Sequence, residues 1–262
     1  MARHVEAARR ILAGPDSRLV FVVHSNDLHH HSLRRSLACA DLVLCRSNSV
    51  ADQLRRLTGH ECDGIVYSGI PEREFCDFGA KRWGGDTLRV VMASKFIATK
   101  NIEPSLAAIA MVARRHPVRV DLYGDGEIRA RVDAAIERLA LGDIVVRHGF
   151  QPRARVLEAM FRADLFLMPS TIETLGLAYL EAMANGCVVV GLRGWGIDGI
   201  VTDGVDGFLA ASSAPEDIAE RIEAYLAADR AALHARAYAL ARRYTADNAA
   251  RNYAEHVGRV LA

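Results

Sequence analysis

Glu173 and Glu181 stand in the segment PSTIETLGLAYLEAMANGCVVVG, where an apolar pattern, DLFLMP, gives way through a polar turn to helical periodicity. The spacing predicts a helix that begins near Thr174 or Leu175 and closes at Gly186. The first backbone N–H groups of such a helix, around Gly176 and Leu177, have no partners within it and sit at the positive end of its dipole, ready to receive an anion. Gly176 lets a phosphate come close to the backbone. Glu173 lies in the loop before this helix and Glu181 more than one turn inside it, so the two carboxylates suit different parts of one ligand. Taken singly, each has a plainer reading: Glu173 as an acid favoured at a helix start, Glu181 as a solvent-facing helix residue.

Cations supply the complementary charge. The chain has 33 lysines and arginines, of which only Lys81, Lys95 and Lys100 are lysines. Lys95 and Lys100 lie together in VVMASKFIATKN, on the loop after a strand pattern, and stand out against the arginine bias; two solvated loop lysines is the plainer alternative. In DLYGDGEIRARV, Gly124 and Gly126 mark a tight turn, and Phe150 follows Gly149 at the end of another strand pattern. His24 ends the run FVVHSN, where a hydrogen-bonded structural role is the commoner one. The run His29, His30, His31 points its rings in different directions on a helix and has no carboxylate at ligand spacing, so no metal site is expected.

These residues need a scaffold, and the chain supplies an α/β pattern. Strands are predicted at 19–24, 41–45, 64–67, 88–93, 118–123, 143–149, 164–169 and 187–192, with helical stretches between most of them and consecutive helices from Pro215 onward. Periodicity lapses in PEREFCDFGAKRWGGD, 71–86, which is read as a linker. The expected organisation is a partial first unit at 1–80, a doubly wound unit at 81–245, and a closing helix at 246–262 that packs back toward the first unit.

Composition bounds the rest. With 262 residues, 51% hydrophobic and 25% charged, the chain buries a sizeable core, and a net charge of +1 gives no global pull toward nucleic acid. Five cysteines without a CxxC pair fit reduced thiols, and neither a signal peptide nor a membrane span is expected, so the chain is read as cytoplasmic. Arg9 and Arg10, Arg34 and Arg35, and Arg55 and Arg56 permit a basic face for a lipid-linked acceptor or an anionic membrane, a contact at most peripheral; solvated helix faces are the plainer reading.

The joint pattern PSxxExxGLxxLEAMAxG resembles the retaining nucleotide-sugar glycosyltransferases of family 4, which have the GT-B fold. The resemblance implies two Rossmann-like domains facing a cleft, the donor held mainly by the C-terminal one. It places Glu173 by the hydroxyls of the transferred sugar, Glu181 by the ribose, and the amides near Gly176 and Leu177, with Thr174 and Leu175, by the diphosphate. Lys95 and Lys100 fall where the family carries an arginine and a lysine, cations that stabilise a departing nucleoside diphosphate. Gly124 and Gly126 match the family's Gly-Asp-Gly turn, Phe150 the region near the nucleobase, and His24 the cleft-facing histidine of the first domain. No cofactor beyond the donor is implied, and no metal.

Three departures stand out. Ser94 replaces a glycine, Lys95 exchanges a bidentate fork for a point charge, and Gly199 takes the place of an acid, with Asp198 just before it. The family's opening strands and acceptor loop have no counterpart, which suggests a late start site, a decayed gene or a split enzyme, and favours a homo-oligomer or a separate acceptor-domain partner. The expected activity is sugar transfer to an unidentified hydroxyl acceptor with retention. The alternative is a catalytically silent nucleotide-sugar-binding subunit. An epimerase on the same fold would need further acids and histidines that are not seen.

Overall fold

In the computed structural model, which describes Val5, Ala8 and residues 17–261, the β-branched runs pair into two sheets, each wholly parallel. The first holds β1 (Val20–Val23), β2 (Leu42–Cys45) and β3 (Gly64–Ile65) in that order. One of its faces packs Phe21, Val23, Val43 and Cys45 against α1 (Leu33–Cys39) and α2 (Asn48–Thr58). Ser47 caps α2 by accepting the Val50 amide at 3.3 Å, and the Arg34 guanidinium caps its other end by donating to the Leu57 and Thr58 carbonyls. Arg34, exposed, thus has a capping role of its own. Arg9 and Arg10, which the basic-face reading included, lie outside the described residues.

The second sheet runs β6 (Val145–Gly149), β5 (Val118–Tyr123), β4 (Leu88–Ala93), β7 (Leu165–Leu167), β8 (Val188–Leu192), β9 (Phe208–Ala210). β7 and β8 are buried along their whole length, as strands covered by helices on both faces must be. One layer has α3 (Ile102–Ala113) packed on α4 (Arg129–Arg138) and α7 (Pro215–Ala227); another has α6 (Leu177–Ala184) packed on α5 (Arg153–Arg162) and α8 (Arg230–Ala241). β9 goes beyond the strands expected from the sequence: its apolar run, FLAA, has no β-branched residue and is set between Gly207 and Ser212. Sequence order reverses between β4 and β7, so the loops leaving their C-terminal ends diverge and open a crevice there.

The chain crosses between the sheets twice, side by side. Ile70 N donates to the Tyr244 carbonyl and Ala246 N to the Ile70 carbonyl, at 2.8 and 2.9 Å. The final helix, α9 (Ala246–Leu261), then lies on the second face of the first sheet, with Val260 against the cluster of Leu42, Leu44 and Val66.

The segment 71–86, expected to be a linker, is instead fastened to the second sheet's helices. Lys81 is 2% exposed, and its Nζ lies 2.7 to 3.1 Å from the carbonyls of Met160, Phe161, Ala163 and Asn185. Those carbonyls belong to the C-terminal ends of α5 and α6, where intrahelical donors run out and both dipoles are negative, so one ammonium serves two helix ends. All five cysteines are free thiols, and no helix among the described residues is long and apolar enough to cross a membrane.

Candidate functional site

The two loops at the strand-order reversal are laced together. Asn101 Nδ2 donates to the Pro169 carbonyl at 2.7 Å and Thr171 N to the Thr99 carbonyl at 2.8 Å. These bonds bring Lys100, on the loop after β4, to Glu173, on the loop after β7: Nζ donates to Oε2 at 2.5 Å, with the side chains 18% and 16% exposed. Glu173 is therefore not merely a helix-start acid. The residue before it, Ile172, has φ +54°, a left-handed conformation that costs a β-branched side chain about 1–3 kcal/mol, strain of the kind held at ligand-binding loops. Gly196 N, on the loop after β8, donates to the Glu173 carbonyl at 3.2 Å and holds the loop from the other side.

The helix after this loop is α6, Leu177–Ala184, and it starts later than the sequence spacing predicts. Gly176 is its cap, with φ +77°, and a Cβ there would stand 2.5 Å from the ring of buried Tyr179. That close approach sets the first turn. Leu175 is buried in the core and the Thr174 hydroxyl meets Ser25 on the first sheet's side, so of the residues at this helix start it is the backbone at Gly176 and Leu177 whose N–H groups stand at the positive end of the dipole.

A cavity of about 500 Å³ lies beside this helix, lined among others by Lys95, Gly124, Phe150, Arg153, Ala178 and Glu181. Phe150 is 83% exposed at its rim. Gly124 and Gly126 are required by close backbone contacts: a Cβ at Gly124, whose φ is +131°, would stand 1.9 Å from the Ser94 carbonyl, and one at Gly126 would stand 2.4 Å from the Phe96 carbonyl. Their absence of side chains lets the Lys95 loop lie against the β5 loop, where Phe96 N donates to the Asp125 carbonyl at 2.9 Å. Lys95 itself is exposed at the cavity wall.

Glu181 is half-buried, not solvent-facing. Burial pushes its carboxyl up from the ordinary value, the Arg153 guanidinium pulls it down, and the Glu74 charge adds to the rise. Arg153 Nη2 donates to Glu181 Oε1 at 2.6 Å and to Glu74 Oε2 at 2.5 Å. Neither Arg153 nor Glu74 was expected from the sequence.

His24 directly follows β1 and caps the turn at Ser25–His29, its backbone N–H donating to Asp27 Oδ2 at 3.0 Å. Burial, first, and Arg46, second, hold its imidazole below the ordinary value, with Asp27 opposing. The contact across the crevice runs through its neighbour: Ser25 Oγ and Thr174 Oγ1 are 2.7 Å apart, and Ser25 N donates to Thr174 Oγ1 at 3.3 Å. Two more bonds join the sheets, Asn48 Nδ2 to the Gly199 carbonyl at 2.7 Å and Gln53 Nε2 to the Gly194 carbonyl at 3.1 Å. Asp198 folds back to accept the Gly194 amide at 2.6 Å, so the acid beside Gly199 serves its own loop. Among the described residues no three His, Cys, Asp or Glu side chains converge as metal ligands.

The structure thus gathers Lys100 and Glu173 into one pair, and Lys95, Phe150 and Glu181 around one cavity. Parallel sheets, a crevice at the order reversal and this charge pattern are features of nucleotide-dependent transferases. The family described as glycosyl transferases group 1 matches residues 77–242, and the chain belongs to it.

The chain is 38% identical over 128 residues to a D-inositol 3-phosphate glycosyltransferase of Segniliparus rotundus, covering 47% of this chain and 28% of that protein. It is 26% identical over 213 residues to an N-acetyl-alpha-D-glucosaminyl L-malate synthase of Bacillus anthracis, covering 76% of this chain and 55% of that one. The chain therefore spans about half or less of the length of these relatives. Among solved structures, Anabaena HepE in complex with UDP shares the fold with a TM-score of 0.81 at 21% identity, over 99% of this chain and 77% of that one. A sucrose-phosphate synthase from Thermosynechococcus elongatus shares it with a TM-score of 0.76 at 20% identity, over 92% of this chain and 67% of that one. The shared fold is that of GT-B glycosyltransferases.

Proposed function

We propose that the chain binds a nucleoside diphosphate sugar between the 500 Å³ cavity and the Lys100–Glu173 pair, and transfers the sugar to a hydroxyl acceptor with retention of configuration. The observation that carries this reading is the ion pair itself: a cation and a carboxylate held together at a helix N-terminus, beside a cavity that ends at a second carboxylate. The base lies against Phe150 and the ribose hydroxyls donate to Glu181. The diphosphate lies between the amides of Gly176 and Leu177 and the ammonium groups of Lys95 and Lys100. As the sugar–phosphate bond breaks, negative charge grows on the leaving diphosphate, and these fixed positive groups stabilise it without a metal. Glu173 accepts hydrogen bonds from hydroxyls of the sugar and orients it; the acceptor hydroxyl attacks from the face of the leaving group, its proton passing to the departing diphosphate oxygen as the sugar–phosphate bond breaks, and no protein nucleophile takes part.

Calorimetric titration of the purified chain with UDP, GDP and ADP and their sugars tests the donor site, beside Glu181→Ala. Micromolar binding to one base, weakened at least tenfold in the variant, is the expected result; absence of binding to every nucleotide would sink it. Binding without release of nucleoside diphosphate under any acceptor would move the chain to the second reading, a non-catalytic nucleotide-sugar-binding subunit.

A further inference from the structure

Arg153 is the first residue of α5, following Pro152, where the helix dipole disfavours a cation. Its guanidinium is nonetheless held by two carboxylates from two other parts of the chain, Glu181 on α6 and Glu74 on the crossing segment. Those carboxylates are 16% and 12% exposed, whereas Arg153 is 51% exposed, so the acids are the fixed partners and the arginine reaches in from solvent. Their backbones are fixed too. Asn185, buried, donates from Nδ2 to the carbonyls of Glu74 and Glu181 at 3.2 and 2.9 Å, and Cys76 N donates to the Ala184 carbonyl at 3.1 Å.

Two like charges this sheltered repel each other unless a cation lies between them, and without one the pair retains a proton. The other charged groups on the cavity wall are Lys95, on the β4 loop, and Asp125, whose Oδ2 faces Arg129 at 3.3 Å. Neither is in contact with Glu181, so Arg153 is the cation that governs it.

We propose that Arg153, anchored by Glu74, is a positioning residue that keeps the Glu181 carboxylate ionised and turned into the cavity to receive the donor's ribose hydroxyls. This rests on the donor-site reading above. An ionised carboxylate accepts hydrogen bonds from two hydroxyls at once, whereas a protonated one must spend an oxygen as donor. Glu74 extends the site to a segment outside the strands and helices that wall the cavity: it shares Nη2 with Glu181, each carboxylate taking one of its two N–H groups, and so holds that nitrogen against Glu181.

The test is UDP, GDP and ADP affinity measured from pH 5.5 to 8.5 for wild type, Arg153→Gln, Arg153→Lys, Glu74→Gln and Glu181→Gln, with melting curves to verify folding. Arg153→Gln is expected to bind within about threefold of wild type at pH 8.5 and at least tenfold more weakly at pH 6, because without the guanidinium the Glu181–Glu74 pair takes up a proton more readily as pH falls. Arg153→Lys restores the pH profile, since it restores the charge. Glu74→Gln weakens nucleotide affinity a few-fold, because Arg153 loses its anchor. If wild type binds a nucleotide and Glu181→Gln weakens it, yet Arg153→Gln follows the wild-type pH profile, the proposal is overturned while the donor site stands. Equal weakening of Arg153→Gln at every pH also overturns it, because the arginine would then touch the ligand directly. If wild type binds none of the three nucleotides, the donor-site reading falls and the proposal with it.

Discussion

His234 gives the sharpest handle on stability. It is fully buried on α8, with Nδ1 at 2.7 Å from the Gly186 carbonyl and Nε2 at 2.9 Å from the Tyr225 hydroxyl. A carbonyl only accepts, so Nδ1 carries the proton and Nε2 accepts from Tyr225; the geometry selects one neutral tautomer. Burial, the first cause, and the nearby Lys81 charge hold the imidazole down to about 4 from an ordinary 6.5, against the Gly186 hydrogen bond, which raises it. The folded pKa lies below the unfolded one, so the unfolded chain binds the extra proton first. The stabilisation is complete above pH 6.5 and is lost progressively as pH falls from there toward 4. At pH 4.5 the linkage amounts to about 2.5 kcal/mol, rising toward about 3.4 kcal/mol below pH 4. Urea unfolding of wild type and His234→Phe at pH 7.5 and 4.5 isolates it. The variant is less stable at pH 7.5, because two polar groups lose their partner, but it should lose about 2.5 kcal/mol less than wild type on acidification. Parallel losses in the two proteins would refute the neutral, doubly bonded imidazole.

Two further perturbations separate stability from ligand binding. Lys81→Met leaves the carbonyls of Phe161, Ala163 and Asn185 without the ammonium that now serves them, a cost of about 3 kcal/mol at about 1 kcal/mol each, read by urea unfolding at pH 7. Burial lowers the Lys81 pKa below its ordinary 10.5, so the unfolded chain holds that proton longer, and wild type gains stability relative to Lys81→Met as pH rises between the two values. A loss under 1 kcal/mol at pH 7 would mean that the helix ends find other donors. Phe150→Ala removes an exposed ring at the cavity rim, so its melting temperature should stay within about 1 °C while nucleotide affinity falls about 5- to 10-fold, roughly 1 kcal/mol of base stacking. Unchanged affinity would place the base elsewhere.

The strands were legible because β-branched runs short enough for buried parallel strands alternate with helical periodicity, and eight of the nine appear as such runs. β9 was not, since its apolar run FLAA holds no β-branched residue and lies between Gly207 and Ser212, where the surrounding residues read as loop. Lys95 and Lys100 were conspicuous as lysines in an arginine-rich chain, and the structure brings Lys100 to Glu173. The same rarity applied to Lys81, whose role as a shared helix cap was there to be suspected. Arg153 could not be singled out: among so many arginines one more carries no signal, and its meaning lies in two carboxylates distant in sequence. The start of α6 was misplaced because Gly176 was credited with closeness to phosphate, while its left-handed turn against Tyr179 also delays the helix. Thr174 and Leu175 therefore lie in the loop before the helix instead of in its first turn.

The crossing segment ties these observations together. Aperiodic and rich in polar residues, 71–86 looks like a spacer, yet it places Glu74 on Arg153, the Cys76 amide on the last residue of α6, and Lys81 beneath the ends of α5 and α6. Both helices that wall the cavity are thus held at their C-terminal ends by the chain that comes from the first sheet. The N-terminal end of α6 is held from the same side, through Ser25 and Thr174. A rotation of the first sheet relative to the second would pull on both ends of α6 at once, and Glu181 lies between them. Asn185, which grips the backbone carbonyls of Glu74 and Glu181 together, joins the segment to α6 at the turn that carries Glu181.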